Sequence, residues 1–364
     1  MKTKSEVQRE ALDIISNYSR CGIGLSVGMG KTLLALLHMD NCVNSGLSKF
    51  LIVAPKKSIF KTWTTEASKY NLQHLIDKMK FTTYLSLTKQ SLSFDVVYLD
   101  ECHSLKTSHE PWLSSFTGYI LGLTGTPPKF RHSEKGYMVN KFCPIVYRYL
   151  LDTGVSDKLL NDYRIFVHKL NLSRVKSLPM QSKDKKKTWM SSELDSYNYW
   201  TDRIENADSP KILQILRIMR MKALQQFPSK EIIAESLLNS MQGKTILFAN
   251  TQEQADKLCS VSYHSNNPKS EQNLEKFKEG TYTKLSCVLQ LNEGVNIPDL
   301  KSGIIIHSFG NERQLQQRIG RLMRLNPNDT ATVHILCYKN TVDEDWVRAA
   351  LSDFDPLKIQ IINY

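Results

Sequence analysis

The stretch Gly24-Leu25-Ser26-Val27-Gly28-Met29-Gly30-Lys31-Thr32 follows an apolar run and leads straight into Leu33-Leu34-Ala35-Leu36-Leu37. That order specifies a strand, a glycine-rich turn and a helix. Such a turn points several backbone N–H groups into one concavity beside the positive end of the new helix, making a cradle for phosphate. Gly28, Met29 and Gly30 would line it, Lys31 would reach the β- and γ-phosphates, and the Thr32 hydroxyl would hold Mg²⁺. The strict G-x-x-x-x-G-K-[ST] pattern fails by one residue: Leu25 stands where its first glycine belongs, and Gly24 is one place early. The same residues also satisfy G-x-S-x-G, the turn that carries a nucleophilic serine, here Ser26. The remaining sequence has to choose between a nucleotide site and an acyl-transfer serine.

A chain of 364 residues is long for one core, so two domains are expected, 1–150 and 151–364. The formal net charge of +12 favours a polyanionic partner, nucleic acid before a membrane surface. Seven cysteines without a C-x-x-C indicate reduced, buried thiols rather than a disulfide framework or zinc ribbon. The N-terminus turns polar at once and no apolar stretch approaches a membrane span, so a soluble, cytoplasmic monomer is expected.

Ser5–Asn17 reads as a helix with a Ser5/Gln8 capping box. The runs 49–55, 94–99 and 119–123 read as strands buried on both faces, ending in Pro55-Lys56, Asp100-Glu101-Cys102-His103 and Thr124-Gly125-Thr126-Pro127. Strands alternating with helices specify a parallel α/β sheet, whose ligands bind at the carboxyl ends of the strands. Residues 173–230 are less regular. They hold Lys183, Lys185, Lys186 and Lys187 followed by Trp189, Tyr197, Tyr199 and Trp200, which reads either as a stacking grip or as a solvated loop. Lys211–Gln226 reads as a basic helix burying Ile212, Leu213, Ile215, Leu216 and Ile218. A second α/β sheet, without a phosphate turn, is expected from 243 onward, with strands at 245–249, 284–291, 303–309 and 330–338.

Asp100 and Glu101 supply the carboxylates that a phosphate turn lacks, Asp100 for Mg²⁺ and Glu101 for the attacking water. Far along the chain, Gln317, Arg321 and Arg324 recur at helical spacing beside a separate apolar side of Ile319, Leu322 and Met323. Arginines so placed would act on a γ-phosphate.

With these motifs in order, the chain resembles the superfamily 2 helicases and translocases. The resemblance implies two tandem RecA-like domains with ATP bound in the cleft between them, and it runs from Gln8 to Arg324. Gln8 matches the adenine-reading glutamine, and residues 27–32 match motif I. Ala54-Pro55-Lys56 with Trp63 and Glu66 is similar to motif Ia, Asp100–His103 to motif II and Leu123–Pro127 to motif III. Phe248-Ala249-Asn250-Thr251 resembles motif IV, Asn292-Glu293-Gly294 opens a motif V, and Gln314–Arg324 resembles motif VI. The resemblance implies an ATP- and Mg²⁺-dependent motor that moves on or unwinds nucleic acid, DNA in preference to RNA. Pro55, Lys56, Asn250, Thr251, Asn292 and Gly294 would touch the nucleic acid, and Thr124 and Thr126 would couple it to the γ-phosphate. Leu-Thr-Gly-Thr-Pro looks like Swi/Snf-type and branch-migration DNA motors, whereas Asp-Glu-Cys-His departs from the Swi/Snf form. The compact length suits a phage or mobile-element motor. An RNA helicase, or a phosphate-loop ATPase with a partner other than nucleic acid, stands as the alternative. A Ser26 esterase would leave Lys31, Thr32 and the arginines unexplained.

Overall fold

The computed structural model describes every residue except 1, 27, 150, 182–185, 289–296, 308–314, 316, 317, 321 and 323–328. The chain forms two compact units. The first is built on Met1–Asp162 and the second on Tyr163–Asn292, Ile297–Leu325 and Thr330–Tyr364.

The first unit holds six strands: β1 (Arg20–Leu25), β2 (Phe50–Ala54), β3 (Met79–Thr83), β4 (Val96–Asp100), β5 (Tyr119–Thr124) and β6 (Ile145–Tyr149). They form one parallel sheet in the order β3-β2-β4-β5-β1-β6. Alternation of side chains in a strand explains why the apolar runs are continuous. Phe50, Ile52, Val96, Tyr98, Leu121 and Leu123 enter one core with the helices α1 (Lys4–Ile15), α2 (Lys31–Asn44) and α3 (Phe60–Lys69). Leu51, Val53, Val97, Leu99 and Ile120 enter a second core, with Trp112 and Leu113 of α4 (Glu110–Ser115) and Met138, Val139 and Phe142 of α5 (Glu134–Phe142). The unit extends past residue 150 because the short helix α6 (Leu151–Ser156) and the turn after it pack Leu151, Val155, Leu159 and Leu160 onto the first core. Helix α1 is capped by Thr3 and Glu6, not Ser5 and Gln8: the Thr3 hydroxyl accepts from the Glu6 N–H while the Glu6 carboxylate accepts from Thr3 N–H at 2.6 Å.

The second unit has a seven-stranded sheet. Its strands are β7 (Asp162–Leu170), β10 (Thr245–Phe248), β11 (Ser262–Tyr263), β12 (Lys284–Cys287), β13 (Ser302–Ile305), β14 (Thr330–Tyr338) and β15 (Ile359–Asn363), in the order β11-β12-β10-β13-β14-β7-β15. Residues 173–230 are more regular than their sequence suggested. They form a separate antiparallel ribbon, β8 (Leu178–Gln181) with β9 (Thr188–Ser191), and the helices α7 (Glu193–Glu205) and α8 (Pro210–Gln226). The expected buried side of α8 is corrected. Leu216 is buried, but Ile212, Ile215 and Ile218 are 43–49% exposed. The helix meets α7 through Arg220, whose guanidinium lies over the Tyr197 ring and donates to Thr201 Oγ1, while Leu224 joins the core of the second unit. Two further helices matter below, α9 (Ser229–Ser240) and α10 (Gln252–Leu258). No described helix is long and apolar enough to cross a membrane.

Burial keeps histidines neutral in both units, among them His38 and His334. It pushes these two down to about 4, with repulsion from His168 adding to the latter. An unfolded imidazole takes its proton near pH 6.5. Each group therefore leaves stability intact above about pH 6.5 and lowers it as the pH falls toward about 4, by about 1.4 kcal/mol per pH unit. Thermal melts taken from neutral to mildly acidic pH should show Tm falling across that window. His334→Asn should flatten the fall; an unchanged slope would show that this histidine is not its source.

Candidate nucleotide site

Strands β1, β4 and β5 run parallel with Gly24 paired to Thr124 and Asp100 paired to Leu123, so their carboxyl ends lie side by side. The glycine turn, the acidic pair and Thr-Gly-Thr-Pro therefore share one edge of the sheet. Gly24 serves that arrangement: a Cβ there would sit 2.7 Å from Pro127, so the early glycine admits the proline of the neighbouring loop.

The turn itself needs its glycines. Gly28 and Gly30 have φ of 89° and 79°, and Gly30 caps α2, whose first residue is Lys31. A Cβ at Gly30 would meet the Gln8 amide nitrogen at 2.5 Å. That amide donates to the Met29 carbonyl at 3.1 Å. Gln8 is thus a buried prop under the phosphate turn, a role its sequence position did not reveal.

Opposite the turn, Lys31 Nζ stands 3.7 Å from Glu101 Oε1. Glu101 adopts a left-handed backbone, φ 51° and ψ 56°, which a non-glycine residue holds only under constraint. Burial alone would push its carboxyl up, but Lys31, His103 and a backbone N–H at Gly125 together bring it below the usual range. Asp100 goes the other way. Burial, and then the charge of Glu101, raise it to about 6, against the opposing pull of Trp63 and Lys31. Trp63 Nε1 donates to Asp100 Oδ2 at 3.0 Å, and the Tyr84 hydroxyl donates to the Asp100 carbonyl at 2.9 Å. Trp63 was legible as part of a motif; its hydrogen bond to the carboxylate was not.

A polar chain joins the acids to the third loop. His103 Nδ1 lies 3.4 Å from Glu101 Oε2 and 2.9 Å from Thr124 Oγ1, and Thr124 Oγ1 accepts from Thr126 N–H at 3.1 Å. Glu101 Oε2 and Thr126 Oγ1 are buried without a hydrogen-bond partner. Two left-handed glycines at a helix N-terminus, a lysine, an orphaned carboxylate oxygen and a second buried acid make a donor set that suits a nucleoside triphosphate with a divalent cation.

Of the remaining predicted residues, Lys56 is exposed beyond β2 and Pro55 half-buried. Thr251 Oγ1 caps α10 by accepting from Gln254 N–H, and Asn250 N–H donates to Gln254 Oε1. Asn292, Gly294, Gln317, Arg321 and Arg324 lie outside the described residues. Within motif VI, Arg318, Ile319 and Leu322 are buried, and Arg318 donates to the His307 carbonyl at 3.2 Å.

Residues 2–129 match the family described as type III restriction enzyme, res subunit, and residues 228–326 match the helicase conserved C-terminal domain. The chain belongs to the superfamily 2 helicases and translocases. A DNA 3'-5' translocase, XPB2 of Sulfurisphaera tokodaii, is 23% identical over 93% of this chain and 82% of its own length. Among solved structures, the ATP-dependent type ISP restriction-modification enzyme LlaBIII bound to DNA superposes with a TM-score of 0.63 at 15% identity. That match covers all of this chain, which spans 31% of the length of the enzyme. S. cerevisiae Dbp5 bound to RNA and ADP BeF3 gives a TM-score of 0.58 at 14% identity, over 98% of this chain and 89% of its own. The fold is that of two RecA-like domains.

Ser26 Oγ is buried and makes no hydrogen bond, whereas a nucleophilic serine requires a base beside it. Ser26→Ala should leave stability and nucleotide affinity within about 0.5 kcal/mol of wild type, checked by melting and titration; an inert protein would restore the esterase reading. Trp63→Phe keeps an aromatic ring but strips a donor from a buried carboxylate and leaves a gap where the second ring of the indole packed. It should cost about 1–3 kcal/mol or more in urea denaturation, and a stability equal to wild type would contradict the hydrogen bond.

Proposed function

We propose that this chain is an ATP-dependent motor that moves along DNA. The observation that carries the proposal is the convergence of Lys31, Asp100 and Glu101 with the Gly28–Gly30 turn on one edge of a parallel sheet. DNA is favoured over RNA by the DNA translocase relative and by the DNA-bound restriction enzyme, and the net charge of +12 suits either polyanion.

In this proposal the backbone of Gly28–Gly30 and the N-terminus of α2 hold the phosphates with Lys31. Thr32 and Asp100 hold Mg²⁺, and Gln8 couples the base to the turn through the Met29 carbonyl. Bound ATP supplies the free energy of the cycle. Glu101, kept ionised by Lys31 and His103, orients the attacking water and accepts its proton. Its buried neighbour His103 passes the state of that carboxylate to Thr124 and Thr126, and so toward the nucleic-acid surface. Gln317, Arg321 and Arg324 stabilise charge on the γ-phosphate, and Pro55, Lys56, Asn250, Thr251, Asn292 and Gly294 hold the backbone of the strand. Such contacts are nearly independent of sequence and weaken steeply with salt.

The deciding experiment is ATP turnover measured with single-stranded, duplex and forked DNA and with RNA. Stimulation by DNA is expected; stimulation by RNA alone would reassign the substrate, and none by either would overturn the motor. Lys31→Ala should abolish turnover and leave DNA binding largely intact, and Arg321→Ala or Arg324→Ala should slow turnover by roughly 10³-fold or more with ATP still bound.

A further inference from the structure

The ribbon β8–β9 belongs to neither large sheet. Its root is fixed. Ser191 is buried, Leu178 packs on the core of the second unit, and these two residues pair across the ribbon. Just beyond the root, the buried carboxylate of Glu193 accepts from Ser173 N–H at 2.9 Å and from the Ser229 N–H and hydroxyl at 3.0 and 2.8 Å, tying the ribbon's flanks to α9.

Away from the root the ribbon is wet on both faces. Trp189, paired with Met180, is 50% exposed, and Met190 on the opposite face is also 50% exposed. A two-stranded ribbon gains little stability from its own pairing, so a half-exposed tryptophan there is not explained by the core. Cations precede it in the chain. Residues 174–189 carry six Lys and Arg against one Asp, and of these Arg174, Lys176, Lys186 and Lys187 are described and exposed. An apolar protein partner would account for Trp189 and Met190 but not for the one-signed charge. A flat aromatic with cations beside it in the chain matches a strand whose bases stack and whose phosphates repeat beside them.

We propose that the β8–β9 ribbon is a second nucleic-acid contact, in which a base of a single strand stacks on Trp189 while Lys186 and Lys187 meet its phosphates. The proposal rests on the motor reading and adds to it a grip outside the helicase motifs. Its test is the affinity of the full-length chain for a fluorescein-labelled oligothymidylate, followed by anisotropy over a salt series, with thermal melts confirming that each variant is folded. Trp189→Ala should weaken binding between about fivefold and a hundredfold, the loss of one stacked base, while Trp189→Phe should retain most of the affinity. Lys186→Ala/Lys187→Ala should lower the slope of log K against log salt by about 0.7 for each phosphate that a lysine no longer neutralises. Wild-type affinity in Trp189→Ala overturns the stacking assignment and leaves the ribbon to a protein partner. Equal losses in the Ala and Phe variants overturn it too, since a ring that stacks would have been replaced by another. A wild-type chain that binds neither DNA nor RNA overturns the motor reading itself.

Discussion

Two carboxylates that are adjacent in the chain stand at the buried end of one strand, with one lysine between them and the phosphate turn. Everything around the candidate site answers that electrostatic problem. Asp100 is pushed up to about 6 by burial and by its neighbour, and the Trp63 indole N–H offsets part of the cost. Glu101 is turned away by a left-handed backbone, and Lys31 and His103 hold it ionised. The result is one acid held toward its protonated form and another held ionised. A divalent cation would resolve the strain at Asp100, because a bound ion's charge inverts the local preference for the protonated form.

The sheet makes this arrangement reproducible. The pairing of β1 with β5 and of β5 with β4 fixes the register in which turn, threonine loop and acids meet. Gly24 and Pro127 interlock across the first of those pairs. The second unit uses buried charge in a different way. Lys230, fully buried, donates to Asp343 and to the Ile306 carbonyl at 3.1 Å, and its Nζ lies 3.2 Å from His307 Nδ1. Arg318 of motif VI donates to the next carbonyl, that of His307, and lies over the face of Phe248. Removing one member would leave an uncompensated buried charge, which is why such clusters fix geometry even where they add little net stability.

Much of this was legible in the sequence because buried parallel strands and a phosphate turn leave local signatures. The runs at 50–54, 96–100 and 119–124 are apolar enough to be read directly, and Gly28 and Gly30 stand where positive φ is required. Strand β3, Met-Lys-Phe-Thr-Thr at the sheet edge, and β6, Ile-Val-Tyr-Arg-Tyr at the other, carry polar residues because one side of each meets no further strand. Their pattern is weak for that reason. Gln8 was legible as a motif residue, yet its support of Met29 depends on a contact spanning 21 residues that no local pattern encodes.

The α7–α8 region shows where periodicity misleads. An apolar helical stripe in the sequence says which residues would be buried by a neighbour wide enough to cover them. Here Leu216 is buried and Leu224 joins the core of the second unit, leaving Ile212, Ile215 and Ile218 outside. The lysine run preceding Trp189 was equally ambiguous, since a charged segment with aromatics is as compatible with a loose loop as with a binding surface. What separates the two is the anchoring. A buried glutamate with three donors and a buried serine at the root hold the ribbon in place. An exposed tryptophan on a fixed support loses less entropy when a base stacks on it than one on a free loop would.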